Sequence, residues 1–253
     1  MTGSEDPPTI EPESGLVSLR DGILRDGFAR RRSGAMRELL DAGVALVDWE
    51  SFAASWNDLA LDTQLPEGHR YRRRRHATLS ARAGEPTLRR EPHRPHYQAP
   101  EYNKLVGGIE RWFQPVLPEV LESASFRAIV GLCLRVFGAL RPRADWHIEV
   151  HQFRIEARRE AAGQPTPEGV HRDGVDYVLV LLVSRVNIES GTTTVHALDG
   201  GLLGSFTLTE PLDAAWVDDA RVMHGVTPVR PLDPSREAHR DVLVVTFRSV
   251  LKD

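Results

Sequence analysis

The apolar positions of the chain change period near residue 145. Before that point they recur mainly at helical spacing. "MRELLDAGVALVD" (36–48) reads as a short helix running into a strand. "DWESFAASWNDLAL" (48–61) reads as a helix with Asp48 at its N-cap and Trp49, Phe52, Trp56 and Leu59 at helical spacing. Residues 99–140 read as two or three helices punctuated by Gly107, Gly108, Pro115 and Pro118. After residue 145 the pattern is that of strands. "DWHIEVHQFRIEA" alternates, and "DYVLVLLVSRVNI" is a continuous Val- and Leu-rich run, as a strand buried on both faces shows. "GTTTVHAL", "LLGSFTL", "AAWVDD", "RVMHGVTPV" and "RDVLVVTFRSV" follow, separated by Gly, Pro and Asp turns. Seven or eight strands at this spacing predict a barrel or jelly roll, with the earlier helices buttressing one face. The expected class is α+β. The expected organisation is a leader over 1–15 and a single domain over 16–253, with a helical buttress at 16–144 and a jelly-roll core at 145–253. No internal repeat is visible.

Composition narrows the function. The chain has 253 residues, 41% of them hydrophobic and 27% charged, enough for a sizeable core. A net charge of −4 argues against non-specific nucleic-acid binding, in spite of the run Arg72 to Arg75 in the basic stretch 69–98. That stretch reads either as a solvated strand and loop or as a source of arginines for a small anionic substrate. The single cysteine, Cys133, lies in an apolar run and reads as a small buried hydrophobe, consistent with a reducing cytoplasm. No apolar run has the length of a membrane span. The acidic, Pro-rich first fifteen residues lack the features of a signal peptide and are expected to be disordered. A cytoplasmic protein with no nucleic-acid or membrane partner is the expectation. The sequence leaves the oligomeric state open and is compatible with a homodimer.

The chemistry concentrates around "HRDGVDYVLVLLVSRV", which begins at His171. In extended backbone, His171 and Asp173 point to the same side and can approach one ion. His224, in a late strand, is the best-placed third ligand. Two imidazoles and one carboxylate suit ferrous iron, leaving coordination positions open for a chelating cosubstrate and O₂. A structural zinc site would have four ligands and more sulfur, while zinc hydrolysis with the same three ligands stays open. Arg240, which opens the last apolar run, can grip the distal carboxylate of a dicarboxylate cosubstrate with a fork of two hydrogen bonds.

"GVHRDGVDYVLVLLVSRVN", "GTTTVH", "DDARVMHGVTPVRPLDP" and "HRDVLVVTF", in this order, resemble the bacterial 2-oxoglutarate/Fe(II) dioxygenases that hydroxylate free amino acids, the group that contains L-isoleucine dioxygenase. "YQAPEYNKLVGGIERWFQPVLP" resembles the helical half of the same family, and the similarity runs from about residue 70 onward. The resemblance implies a double-stranded β-helix (jelly roll, cupin-like) with flanking N-terminal helices. It implies His171, Asp173 and His224 as iron ligands and Arg240 as the residue that holds the 2-oxoglutarate 5-carboxylate, ahead of Arg230. The implied cofactors are Fe(II), 2-oxoglutarate and O₂, and the implied substrate is a free, aliphatic L-amino acid. In related halogenases a small residue replaces the carboxylate ligand; Asp173 is present here, so hydroxylation is expected. Two alternatives are an oxygenase acting on a carrier- or peptide-tethered amino acid, and a cupin-like metal-binding protein without turnover. A bare metal sensor has no need of Arg240.

Other residues carry weaker expectations. Gln152 can hydrogen-bond cosubstrate or substrate, and Arg154, on the same face, can pair with an acid instead. Asp218 or Asp219 can orient a ligating imidazole or serve as a turn residue. Thr193 or Thr194 can face the pocket. His196 is expected to be structural or superficial, His239 to be at most a neighbour of the site, and His147, His69, His76 and His93 to bind nothing. The substrate carboxylate and ammonium are expected near the arginines of "RYRRRR" (70–75) and the polar segment holding His96, Tyr97, Gln98, Glu101 and Asn103.

Overall fold

The longest apolar run becomes the structural centre. In the computed structural model, which describes residues 12–65, 71–85 and 87–250, this run forms a ten-residue strand hydrogen-bonded on both sides. The elements in chain order are α1 (Pro12–Asp26), β1 (Phe28–Arg31), α2 (Ser33–Leu40), α3 (Ala42–Ala45), α4 (Trp49–Ala54) with a 3₁₀ turn (Ser55–Asp58), β2 (Ala60–Leu61), β3 (Arg72–Ala81), β4 (Arg89–Arg90), α5 (Pro118–Glu122), α6 (Ala124–Leu140), β5 (Asp145–Glu156), β6 (Tyr177–Val186), β7 (Ile188–Ser190), β8 (Thr192–Ala197), β9 (Leu202–Thr207), β10 (Ala214–Asp218), β11 (Val222–Val226), β12 (Val229–Pro231) and β13 (His239–Val250). Eight strands form a major sheet in the order β1-β10-β6-β13-β5-β3-β2, with β4 added to β3. A smaller sheet runs β11-β8-β9, and β12 pairs with β7. All these pairings are antiparallel.

The major sheet has two faces with different tasks, set by the period of two along a strand. Trp146, Ile148 and Val150 of β5, Leu179, Leu181 and Val183 of β6, Leu243, Val245 and Phe247 of β13, and Ala77, Leu79 and Ala81 of β3 pack with Ile129, Cys133, Val136 and Phe137 of α6 and with Leu19, Ile23, Phe52 and Trp56 in one core. The intervening residues of β3, β5 and β13 face a cavity closed on its other side by His224 and Val226 of β11. Fully buried Cys133 belongs to the helix side, as a small hydrophobe.

Several expectations change at the level of elements. Helix α1 begins at Pro12, inside the stretch assigned to the leader; residues 1–11 and His69 lie outside the described residues. The strand expected after Leu40 is the short helix α3. Between Ala99 and Leu117 the chain forms turns and bridges, not a helix, because Gly and Pro interrupt every candidate turn. Residue 145 is not a clean divide, since β1, β2, β3 and β4 from the first half join the major sheet. The basic stretch supplies β3, whose Arg72, Arg74 and His76 are buried instead of solvated. Asp48 precedes α4 without a side-chain cap bond. Its carboxylate instead accepts the backbone N–H of Ala124 (2.7 Å) and of Ser125 (2.9 Å), together with the Ser125 hydroxyl, at the start of α6.

Candidate active site

Backbone pairing brings the three candidate metal ligands together. His171 and His224 exchange both backbone N–H···O bonds at 2.9 Å, although they lie 53 residues apart. Their side chains leave the pair on the cavity side with ring centroids 4.7 Å apart. Asp173 follows two residues on, with Oδ1 3.5 Å from His171 Nε2 and Oδ2 3.6 Å from His224 Nε2. One ligand atom from each of the three residues lies within 4.8 Å of the other two. His171 Nδ1 is 3.0 Å from the Gly169 carbonyl. A carbonyl only accepts, so Nδ1 carries a proton and Nε2 is the nitrogen aimed inward, its lone pair free for a metal once the ring is neutral.

The turn after Asp173 is held from below. Asp219 is fully buried, and its carboxylate accepts the backbone N–H of Asp173 (2.9 Å), Gly174 (2.8 Å) and Val175 (3.1 Å). Gly174 has φ +79°, and a Cβ there would come within 2.5 Å of the Tyr102 ring. Only glycine turns the chain so tightly behind the ligand. From above, Gln98 Nε2 donates to Asp173 Oδ1 (3.2 Å), while Gln98 Oε1 accepts from Asn103 Nδ2 and Arg111 Nη2, each at 3.0 Å.

The electrostatics suit a cation. Burial opposes charge on His171, but the Asp173 carboxylate outweighs it and pushes the imidazolium up to about 9. Asp173 is correspondingly held well below the usual carboxylate range by that pairing, against its burial. Burial and the His171 charge push His224 down to about 4. Asp219 is pushed up by burial and by the Asp173 anion, a repulsion that a cation at Asp173 relieves. Two Nε2 donors and a carboxylate oxygen, converging on one point at the wall of a cavity, fit a ferrous ion with open coordination sites.

Arg240 completes this end of the cavity. It is 2% exposed, and neither Nε nor Nη2 has a hydrogen-bond partner. Burial and Arg185 push it down to about 10, so it stays a cation at neutral pH. A guanidinium with two unused donors in the cavity that holds the triad is a ready-made carboxylate fork.

Other sequence candidates fall elsewhere. Gln152 is not among the cavity-lining residues. It points to the opposite face of β5 from His151 and donates to the Ser55 hydroxyl (2.9 Å), so the expectation that it touches cosubstrate is corrected. Arg154, on the same face, pairs with Asp241 at 2.7 Å. Asp219 orients the Asp173 turn, with its three bonds all to backbone N–H groups there. Neither Thr193 nor Thr194 lines the cavity, and His196 sits by the Gly200 carbonyl. Sequence reading passed over Glu149, Glu168 and Arg111, all cavity-lining, and dismissed His76 and His147. The signal for part of this was present: "HIEVH" places His147, Glu149 and His151 on one strand face.

A jelly roll with an open-sided triad and a free arginine fork in one cavity describes an oxygenase of the non-haem iron, 2-oxo-acid class. The chain belongs to the 2OG-Fe dioxygenase family, whose model matches residues 53–246. Enzymes of this family use Fe(II), 2-oxoglutarate and O₂. The chain is 26% identical over 208 residues to the 3(1)-hydroxy-L-isoleucine 4-dioxygenase of Pantoea ananatis, covering 80% of this chain and 82% of the relative. The crystal structure of a bsmA homolog from Methylobium petroleophilum superposes with a TM-score of 0.84 at 37% identity, covering 93% of each chain. IDO from Bacillus thuringiensis has the same fold at 19% identity, with a TM-score of 0.77 over 93% of this chain and 100% of that one. Among the described residues no helix is long and apolar enough to cross a membrane.

Proposed function

We propose that this 2-oxoglutarate/Fe(II) dioxygenase hydroxylates an unactivated C–H bond of a free, aliphatic L-amino acid, releasing succinate and CO₂. The observation that carries the reading is the sharing of one cavity by the triad, the unpartnered Arg240 and a wall of Val175, Val180, Val226, Val242 and Val244. The 3(1)-hydroxy-L-isoleucine 4-dioxygenase supports the substrate class, since the substrate in its name is a hydroxylated form of the aliphatic amino acid isoleucine. In this reading His171, Asp173 and His224 hold the iron and Arg240 holds the 2-oxoglutarate 5-carboxylate. The bound metal and cosubstrate supply the oxidising chemistry; the chain orients them, excludes water and presents the substrate carbon. We read the chain from Pro12 onward as one catalytic unit, because a single core runs from Leu19 of α1 to Phe247 of β13. The test is anaerobic titration with Fe(II) and 2-oxoglutarate, read by visible absorbance, followed by O₂ with a panel of the twenty amino acids and succinate assay. One aliphatic amino acid should raise succinate. A band that no amino acid couples to succinate would overturn the free-substrate reading.

Arg240→Met is expected to raise the KM for 2-oxoglutarate by about a hundredfold, as loss of one partner of a desolvated charge pair does. It should leave the cosubstrate-free protein as stable as before or more so, because the arginine is an uncompensated buried charge there. Thermal melts with and without 2-oxoglutarate separate the two effects.

Metal binding should release protons. His171 is protonated below about pH 9 in the metal-free protein, yet only its neutral ring can ligate. Each divalent ion should therefore expel about one proton at pH 7, and apparent affinity should climb with pH until near 9. Calorimetric titration with Mn(II) in buffers of differing ionisation enthalpy measures this directly. Zero release would mean that His171 is neutral before the metal arrives or is not a ligand, and His171→Ala separates the two by its effect on affinity.

A further inference from the structure

A second knot of polar side chains borders the same cavity: His96, His147, Glu149 and His151 line it, and fully buried His76 stacks on His151. His147, Glu149 and His151 share one face of β5, and His76 of β3 pairs directly opposite His151. Potential ligand atoms of His76, His96, Glu149 and His151 all lie within 4.8 Å of one another. Glu149 Oε2 accepts from His96 Nδ1 at 2.7 Å, and Oε1 lies 3.7 Å from His76 Nε2. His76 is fully buried, and neither of its ring nitrogens makes a hydrogen bond as short as 3.5 Å. Burial opposes the Glu149 charge, but the surrounding imidazoles hold its carboxyl well below the usual range, while burial keeps His76, His96 and His151 neutral. An anion ringed by neutral imidazoles is a receptor for a cation.

The surroundings discriminate between a metal ion and an organic ammonium. Arg74 Nη2 lies 2.7 Å from His151 Nδ1. A guanidinium only donates, so Nδ1 accepts and the neutral ring carries its proton on Nε2, toward Glu149. His151 then has no lone pair there for a metal. Arg74 and Arg111 also add positive charge around Glu149, which a bare divalent ion would meet uncompensated. An α-amino acid avoids this conflict by bringing its own carboxylate a few ångströms from its ammonium. Arg111 is placed for that carboxylate: it is 3% exposed, its Nε has no partner, and it makes no ion pair within 4.0 Å among the described residues.

We infer that this cluster is the receptor for the two charged ends of an α-amino acid, with Glu149, flanked by His76 and His96, taking the ammonium and Arg111 taking the carboxylate. The inference rests on the free-amino-acid reading above and names the groups that recognise it. Gln98, which accepts from Arg111 and donates to Asp173, ties the carboxylate anchor to the metal ligand, so substrate docking is registered at the iron site.

The test compares the active amino acid with its des-amino analogue and its primary carboxamide, by perturbation of the anaerobic Fe(II)–2-oxoglutarate band and by succinate formation. The wild-type protein should prefer the amino acid to each analogue by about a hundredfold or more. Glu149→Gln should weaken amino-acid binding by about a hundredfold and leave the des-amino analogue unchanged, so that the ammonium preference collapses. Arg111→Met should abolish the preference for carboxylate over carboxamide. The band with 2-oxoglutarate alone reports that each variant is folded and metal-loaded. If Glu149→Gln loses that band, His76→Leu takes its place: it removes the ring 3.7 Å from Glu149 Oε1, and the ammonium preference should fall. Variants that retain both preferences, while the wild type responds to an amino acid, would overturn this inference alone. A second equivalent of bound metal that disappears in Glu149→Gln would also overturn it and make the cluster a metal site. Absence of any response in the wild type would remove the free-amino-acid reading first.

Discussion

His224→Ala is expected to lower 2-oxoglutarate-dependent succinate formation by at least about a thousandfold while the protein stays folded. The histidine is bound into the fold through its backbone, which exchanges two hydrogen bonds with His171 and pairs β11 with β8. Its imidazole adds little to the core: Nδ1 has no hydrogen-bond partner among the described residues, and Nε2 lies 3.6 Å from Asp173. Truncation therefore removes one of three proposed ligands and spares the scaffold. Metal analysis after dialysis and far-UV circular dichroism check both halves. Full metal retention with normal turnover would remove His224 from the ligand set.

The second large effect is expected from a residue that touches neither metal nor substrate. Asp219→Ala strands three backbone N–H groups at Asp173, Gly174 and Val175, beneath a proposed metal ligand. Each unsatisfied buried donor costs about 1–3 kcal/mol, so a loss of about 3 kcal/mol or more is expected in urea unfolding. The Asp173 turn loses its anchor as well, and iron affinity should fall by about tenfold to a hundredfold. Asp219→Asn retains one acceptor oxygen and should recover part of both losses. Equal metal affinity in all three proteins would show that the turn holds itself.

The strand half was legible because strands β5, β6 and β13 carry their environment in local sequence. Alternation or an unbroken Val/Leu run specifies which faces are buried. The convergence of the three candidate ligands was legible for a related reason: His171 and Asp173 are local, and His224 lies on a late strand that the jelly roll returns beside them. Strand β3 was harder, since its arginines hide the alternation that places Arg72, Arg74 and His76 on one face. The Glu149 cluster was invisible as a cluster, because His76, His96 and Glu149 meet only through the β3–β5 register and the fold-back of 96–111. Gln152 shows the complementary error. A polar residue beside the site in sequence was credited with facing it, when parity on β5 sends it to the helices.

The same parity has a consequence for how such an enzyme can change. On β5, His147, Glu149 and His151 face the cavity while Trp146, Ile148 and Val150 face the helices. Neighbouring codons thus answer to separate selective pressures, one for what is bound and one for remaining folded. Substitutions at one set can accumulate under selection for a new substrate with little debt to the other. Insertion or deletion of a single residue within the strand exchanges the two sets at once, burying charge against the helices and turning the core into the cavity. Variation among descendants of this chain should therefore proceed along β5 by replacement, with length changes confined to the loops at its ends.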